Sequence, residues 1–289
     1  MIDLHSHTWL SDGHLGPAQL IARAESVGVR HLAITDHDCL AAHTQIQSGT
    51  VSVPPSMDII SGVEISTVWE NQEIHIIGLL VETENTTLNQ LLESQLGRRR
   101  DRAGAIDKKL QRAGICGLSA YLSELPCQAV GRNHVADFLI SQSVVSSKQQ
   151  AFTRYLAKRG NAYVSASWCT IEEAVTAIAA AGGVAVLAHP DRYPLSKPKF
   201  KRLVDEFCAA GGEAIEVSYS NLNPDVLKNL AVICHEKSLW ASVGSDFHSP
   251  DNTWMEMGRI RRLPEVCRDR AIWLHPRWAM LARPVEPQT

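Results

Sequence analysis

Short apolar runs rich in Ile, Val and Leu recur at residues 2–6, 31–35, 58–64, 73–80, 184–188, 213–218 and 239–244, each bounded by turn-forming residues. This pattern predicts seven strands. Between several of them the hydrophobic period lengthens to that of a helix. The first such stretch has Pro17 at a first-turn position, Leu20, Ile21, Ala24 and Val27 as its apolar side, and Gly28 as its stop. Another opens on the capping box Thr170-Ile171-Glu172-Glu173 and runs to Gly182-Gly183, just before the fifth strand. Strands alternating with helices imply βα units and a mainly parallel sheet. From Thr86 to Arg112 the pattern is one long helix with an apolar stripe at Leu88, Leu92, Leu96, Ala103, Ile106 and Leu110. No internal repeat or low-complexity tract interrupts this order.

The chain has 289 residues, of which 45% are hydrophobic and 20% charged. That is enough apolar mass for a large core, and it excludes a disordered chain or a miniature disulfide scaffold. An α/β barrel of about 250 residues fits within this length with room for an insertion. The seven cysteines are odd in number, scattered and never in a C-x-x-C pair, as expected of reduced thiols in a cytoplasmic protein. No basic and apolar leader precedes the first strand, and no apolar run approaches the length of a membrane span.

A net charge of -3 conceals a segregation. Residues 97–160 hold 12 Lys and Arg against 4 acids, a balance of +8, while the remainder holds 16 basic against 27 acidic residues, a balance of -11. A basic middle segment suits phosphate-bearing partners, and acidic flanks suit bound cations. The expected organisation is a barrel over residues 1–85 and 169–289, with an inserted basic helical module over 86–168.

The flanks place their chemistry at strand ends. His5-x-His7 ends the first strand, where the period of two points both imidazoles to one side. Thr35-Asp36-His37-Asp38 ends the second, Gly62-Val63-Glu64 the third, Ala188-His189-Pro190 the fifth and Gly244-Ser245-Asp246-Phe247-His248 the seventh, while the fourth carries His75. A lone H-x-H pair is weak evidence and is often just two surface histidines. In a closed barrel, however, these strand ends converge on one mouth, where such folds do their chemistry. With Asp12 in the first loop there are nine candidate ligands: His5, His7, Asp12, His37, Glu64, His75, His189, Asp246 and His248. A single catalytic zinc uses only three protein ligands, so nine suffice for a trinuclear cluster. Nitrogen and oxygen donors without thiolate admit Mn, Fe, Zn or Co. Asp36 is expected to orient a ligand imidazole from behind.

In order and spacing these motifs resemble the PHP (polymerase and histidinol phosphatase) family of metallohydrolases, over nearly all of the chain outside the middle segment. The resemblance implies a distorted (β/α)7 barrel of PHP type in the α/β class, with a mainly helical insertion and three divalent ions. His5, His7, Glu64 and Asp246 would hold the first ion, Glu64, His75 and His189 the second, and Asp12, His37 and His248 the third. Mn²⁺ is the ion expected, with Zn²⁺ or Fe²⁺ as alternatives. The position of the insertion, its arginine-rich helix and Arg132-Asn133-His134 resemble the subgroup of 3′,5′-nucleotide bisphosphate phosphatases and ribonuclease AM-type 5′–3′ exoribonucleases.

Clustered divalent ions are suited to hydrolysis of phosphate esters, and no Ser-His-Asp or Cys-His nucleophile is needed. Arginine runs are usually solvated surface. Beside a phosphate-cleaving mouth, Arg99, Arg102 and Arg132 instead become candidate grips for a second substrate phosphate. His134 is a candidate for binding substrate and for protonating the leaving oxygen. The expected substrates are RNA 5′ ends or short oligonucleotides, with ribosomal RNA 5′ maturation as the setting; the alternative is a phosphatase of small bisphosphorylated nucleotides. Histidinol phosphatase would leave the basic insertion without a task, and a non-catalytic scaffold would predict eroded ligands. The remaining histidines, His14, His31, His43, His235 and His275, are assigned surface or packing roles. Trp9, Trp69, Trp168 and Trp254 are more often core or rim than stacking platforms. No feature of the chain fixes an oligomeric state.

Overall fold

The computed structural model describes residues 1–282 and 285. Seven strands follow one another round the sheet in chain order: β1 (Ile2–Asp3), β2 (His31–Ile34), β3 (Asp58–Trp69), β4 (Gln72–Leu79), β5 (Val184–Leu187), β6 (Ala214–Tyr219) and β7 (Trp240–Gly244). The first strand is regular only over two residues, yet the chain keeps its course beyond them. Leu4 N–H donates to Val243 O at 3.1 Å, and Ser6 bridges Phe247 in parallel, which closes the barrel.

The sheet is parallel except around β4, which runs antiparallel to both β3 and β5. Residues 70 and 71 explain the reversal. β3 continues well past Glu64 to Trp69, and Glu70 and Asn71 then take φ of 45° and 61°. Two left-handed residues in succession form the tight turn that joins antiparallel strands. Because β4 runs backwards, its N-terminal half, which carries His75, comes to the mouth that the parallel strands reach with their C-terminal ends.

Ten α-helices among the described residues wrap and extend this barrel: α1 (Pro17–Ser26), α2 (Ala41–Gln47), α3 (Thr86–Arg112), α4 (Leu118–Ser123), α5 (Arg132–Ser141), α6 (Lys148–Ala151), α7 (Ile171–Ala180), α8 (Lys197–Ala209), α9 (Pro224–Glu236) and α10 (Pro276–Leu281). Asn85 caps α3 by accepting from Leu88 N–H at 3.1 Å, and Thr170 caps α7 through the capping box read from the sequence. The long helix α3 serves two cores. Its Leu88 and Leu92 pack in the barrel core, whereas Ile106 and Leu110 join Leu118, Phe138, Leu139 and Leu156 in a separate apolar cluster under α4, α5 and α6. All seven cysteines are free thiols, and among the described residues no helix is long and apolar enough to cross a membrane.

Candidate metal centre

The nine candidate ligands gather at the C-terminal mouth of the barrel. His5 Nε2 and His7 Nε2 lie 3.1 Å apart. Glu64 Oε2 stands 3.3 and 3.2 Å from these two nitrogens, and Asp246 Oδ1 stands 3.3 Å from each. Around the other carboxylate oxygen, Glu64 Oε1, His75 Nδ1 and His189 Nε2 both lie at 3.0 Å. His37 Nδ1 lies 3.0 Å from Glu64 Oε2, and its Nε2 is 3.7 Å from Asp12 Oδ1, which His248 Nε2 approaches to 3.2 Å. Glu64 thus stands at the centre, with one oxygen toward each of two donor groups.

These separations suit cations. Donor atoms about 2.1 Å from a shared ion lie roughly 3.0–3.4 Å from one another in octahedral or tetrahedral geometry. Furthermore, Asp12 Oδ1, His37 Nδ1, Glu64 Oε2 and His189 Nδ1 are buried without a hydrogen-bond partner, a cost that native interiors avoid unless something else satisfies the atom. The residues present therefore fit divalent ions.

The surroundings fix the ligand tautomers. Glu216 Oε1 lies 3.0 Å from His5 Nδ1, so the ring donates there and turns Nε2 to the cage. His248 Nδ1 is satisfied by Asp246 O at 2.9 Å, which leaves its Nε2 toward Asp12. The other oxygen of Glu216 accepts from His189 N–H at 2.6 Å, so one carboxylate ties β1 to the end of β5. His189 and Asp246 themselves hold φ of 28° and 55°, strained backbone that places both side chains in the mouth. Gly244 is required beside them, because a Cβ there would meet His5 Cβ at 2.3 Å. Asp3 holds the following loop by accepting from Ser245 and Gly258 N–H at 2.7 and 2.9 Å, and burial pushes its pKa up to about 6.

The electrostatics follow the packing. Burial opposes ionisation of Glu64, but His37, His5 and His75 outweigh it and hold the carboxyl well below its usual range. Asp12 and Asp246 behave alike: burial opposes the charge and the neighbouring imidazoles overcome it. Conversely, burial opposes the charge on His7, and its contacts with Asp246 and Glu64 raise it to about 9.

Asp36 differs from expectation. Its oxygens accept from Thr8 N–H, Thr8 Oγ1 and Ser11 Oγ at 2.7, 2.6 and 2.5 Å, so it holds the loop after β1 and no ligand imidazole. The carboxylate behind an imidazole is Glu216, which sequence reasoning missed. Its signal was an acid alone within the fully buried strand Ala214–Tyr219. Arg192 was missed as well; its guanidinium pairs with Asp246 Oδ2 and lies 5.4 Å over the Tyr219 ring.

Between the barrel mouth and the insertion lies a cleft of about 670 Å³ lined by Asp12, His37 and His75 on one side and Arg99, Arg102 and Arg132 on the other. All three arginines are already paired. Arg99 donates to Asp38 Oδ2 at 2.6 Å and Ser66 Oγ at 2.7 Å, while Arg102 and Arg132 share Glu73 at 2.8 and 3.2 Å. Trp168 stacks beneath Arg99 and Arg102 at 5.0 and 5.3 Å. Arg99 and Arg102 both face the cleft, whereas Arg98 turns to Gln95. His134 is absent from the cleft lining. Its Nδ1 instead accepts from Gly131 N–H at 3.0 Å at the start of α5, and burial lowers its pKa. Its neighbour Asn133 donates to Asp12 Oδ2 at 2.7 Å.

The PHP domain matches residues 3–218, a span that holds seven of the nine cage residues. The chain belongs to the PHP family. It is 44% identical over 263 residues to the 5′-3′ exoribonuclease Rnm of Escherichia coli, covering 91% of this chain and 89% of that one. To the 3′,5′-nucleoside bisphosphate phosphatase of Chromobacterium violaceum it is 34% identical over 275 residues, covering 94% and 95%. A solved amidohydrolase from Chromobacterium violaceum, described with bound sulfate and no metal, superposes with a TM-score of 0.86 at 34% identity, over 100% of this chain and 99% of the other. This PHP member thus has both exoribonuclease and phosphatase relatives across nearly its full length.

Proposed function

We propose that this PHP protein is a metal-dependent 5′–3′ exoribonuclease that releases nucleotides one at a time from the 5′ end of RNA, with ribosomal RNA 5′ maturation as its task and the cytoplasm as its place. The observation that carries the reading is a donor cage with separations of 3.0–3.3 Å about Glu64 that opens on a cleft lined by three arginines. The Escherichia coli relative at 44% identity bears this activity in its name.

His5, His7, Glu64 and Asp246 would hold one ion, Glu64, His75 and His189 a second, and Asp12, His37 and His248 a third, with Mn²⁺ preferred and Zn²⁺ or Fe²⁺ as alternatives. Such ions supply charge stabilisation for a phosphate ester under attack and make water a competent nucleophile at neutral pH. The chain does the rest. Glu216 keeps His5 in the tautomer that faces the cage, and Asn133 holds Asp12 from the insertion side. Arg99, Arg102 and Arg132 would grip the terminal phosphate through planar, multiply donating groups. His134 holds the Gly131–Asn133 turn and thereby places Arg132 and Asn133.

A second reading is a phosphatase of 3′,5′-bisphosphorylated nucleotides, favoured by the Chromobacterium violaceum relative at 34% identity, which bears that activity in its name. Incubation of the Mn²⁺-loaded protein with 5′-phosphorylated RNA labelled at its 3′ end separates the two. Stepwise shortening from the 5′ end supports the exoribonuclease. Release of phosphate from 3′-phosphoadenosine 5′-phosphate without RNA shortening supports the phosphatase, and loss of neither substrate refutes both.

A further inference from the structure

We infer that the mouth carries a second nucleic-acid subsite, across the barrel from the arginine cleft, which holds the single-stranded RNA body on the 3′ side of the cleaved bond. This inference rests on the exoribonuclease reading and extends it to the substrate's length.

A pocket of about 1200 Å³ lies beyond the end of β6, lined by Tyr219, Leu222, Trp254, Arg259 and Arg261 among others. Trp254 is 65% exposed, in contrast to the buried Trp69 and Trp168. Arg259 and Arg261 touch only backbone carbonyls, Thr253 O and Leu222 O, both at 3.3 Å, and neither guanidinium meets a carboxylate among the described residues. The cleft arginines, by contrast, all sit on Asp38 or Glu73. An exposed indole beside two uncompensated guanidiniums offers stacking and phosphate neutralisation together, the combination that binds single strands irrespective of sequence.

The position also fits. The strand order β1 to β7 puts β6 and β7 across the closed barrel from the β3–β4 hairpin, over which the arginine cleft lies. Tyr219, the last residue of β6, lines this pocket and links it to the cage: Arg192 lies over its ring at 5.4 Å and pairs with Asp246. The segment that supplies Trp254, Arg259 and Arg261 follows directly on His248. A terminal nucleotide seated between barrel and insertion has its 5′-phosphate at the arginines, and the chain beyond the cleaved bond leaves past Arg192 and Tyr219. A mononucleotide phosphatase would have no use for this second site.

The test is binding to ion-stripped protein in EDTA, where no cleavage intervenes. A 3′-fluorescein, 5′-phosphorylated single-stranded dodecaribonucleotide and a matching dinucleotide serve as probes, read by anisotropy. Trp254→Ala should weaken the dodecamer about 10-fold, with Trp254→Tyr restoring most of it. Arg259→Ala and Arg261→Ala should each reduce the slope of log affinity against log salt by about 0.7 for the dodecamer. Dinucleotide affinity should stay within about twofold in every variant, since the probe does not reach the subsite. Unchanged dodecamer binding in the variants, equal losses for both probes, or a wild type that binds the dodecamer no better than the dinucleotide would each overturn the subsite. Failure of the wild type to shorten RNA in the preceding assay would instead count against the exoribonuclease reading, whatever the binding result.

Discussion

At the scale of single residues, the site depends on which ring nitrogen faces which partner. His5 and His248 are turned toward the cage because Glu216 and the Asp246 carbonyl occupy their other nitrogens. Most of the candidate donors were legible in the sequence, because they follow apolar strands that end at the same side, whereas His75 lies near the start of β4 and reaches the mouth only because that strand runs backwards. Their supports were not legible, since Glu216 and Arg192 come from elements 20 or more residues away from most of the donors they serve. His134, a candidate proton donor from the sequence, accepts from Gly131 N–H through Nδ1 at the start of α5. A glutamine at the third helical position can accept the same N–H. His134→Gln is therefore expected to retain activity within about threefold, whereas His134→Ala loses about 1 kcal/mol of stability and turnover with it. Rates and melting curves for both variants check this. Equal inactivation by Gln and Ala with unchanged melting would restore His134 as the proton donor.

Among the elements, the β3–β4 hairpin does the most to define the site. It was expected as two strands of a mainly parallel sheet, and the turn at Glu70-Asn71 is what makes β4 antiparallel and brings His75 to the mouth. Neither Gly nor Pro marks that turn, so no strong local signal announces it. The hairpin also grips the insertion. Glu73 binds Arg102 and Arg132 together; burial opposes its charge, but the two guanidiniums bring its pKa down to about 2. Glu73→Gln frees both arginines while leaving the cage untouched. The expected result is a loss of about 1–3 kcal/mol in unfolding stability, measured by denaturant titration, because a mostly buried charged contact is weakened. Inorganic phosphate should bind the ion-stripped variant more tightly than wild type.

Across the whole molecule, charge is divided by role. The acidic barrel gathers Glu64, Asp12 and Asp246 at one mouth, and the basic insertion faces it across the cleft. Cations held there bind the folded chain and not the unfolded one, so Mn²⁺ at 100 times its Kd should add about 2.7 kcal/mol to stability, and EDTA should remove it. The pH dependence has a definite sign. Without ions His7 titrates at about 9, so below that pH it holds a proton that an incoming cation must displace. Mn²⁺ affinity should therefore rise with pH through neutrality, as His7 and its cage neighbour His5, which nearby carboxylates likewise hold protonated, give up their protons. Calorimetric titrations in buffers of different ionisation enthalpy should show proton release at pH 7.5, and titration without proton release would contradict the assigned cage.

The sequence by itself determined the strands, the long helix and the candidate donors that gather at the mouth. Hydrophobic period is a local property, and seven apolar runs, five of them ending in His, Asp or Glu, specify strands whose polar ends must meet if the sheet closes. The long helix at Thr86–Arg112 was legible for the same reason. Only the tertiary structure decided the direction of β4, the pairing of Arg102 and Arg132 on Glu73, and the place of Glu216 behind His5. Those depend on contacts between residues far apart in the chain, whose partners are chosen by packing and burial once the barrel has closed, and no local pattern encodes them.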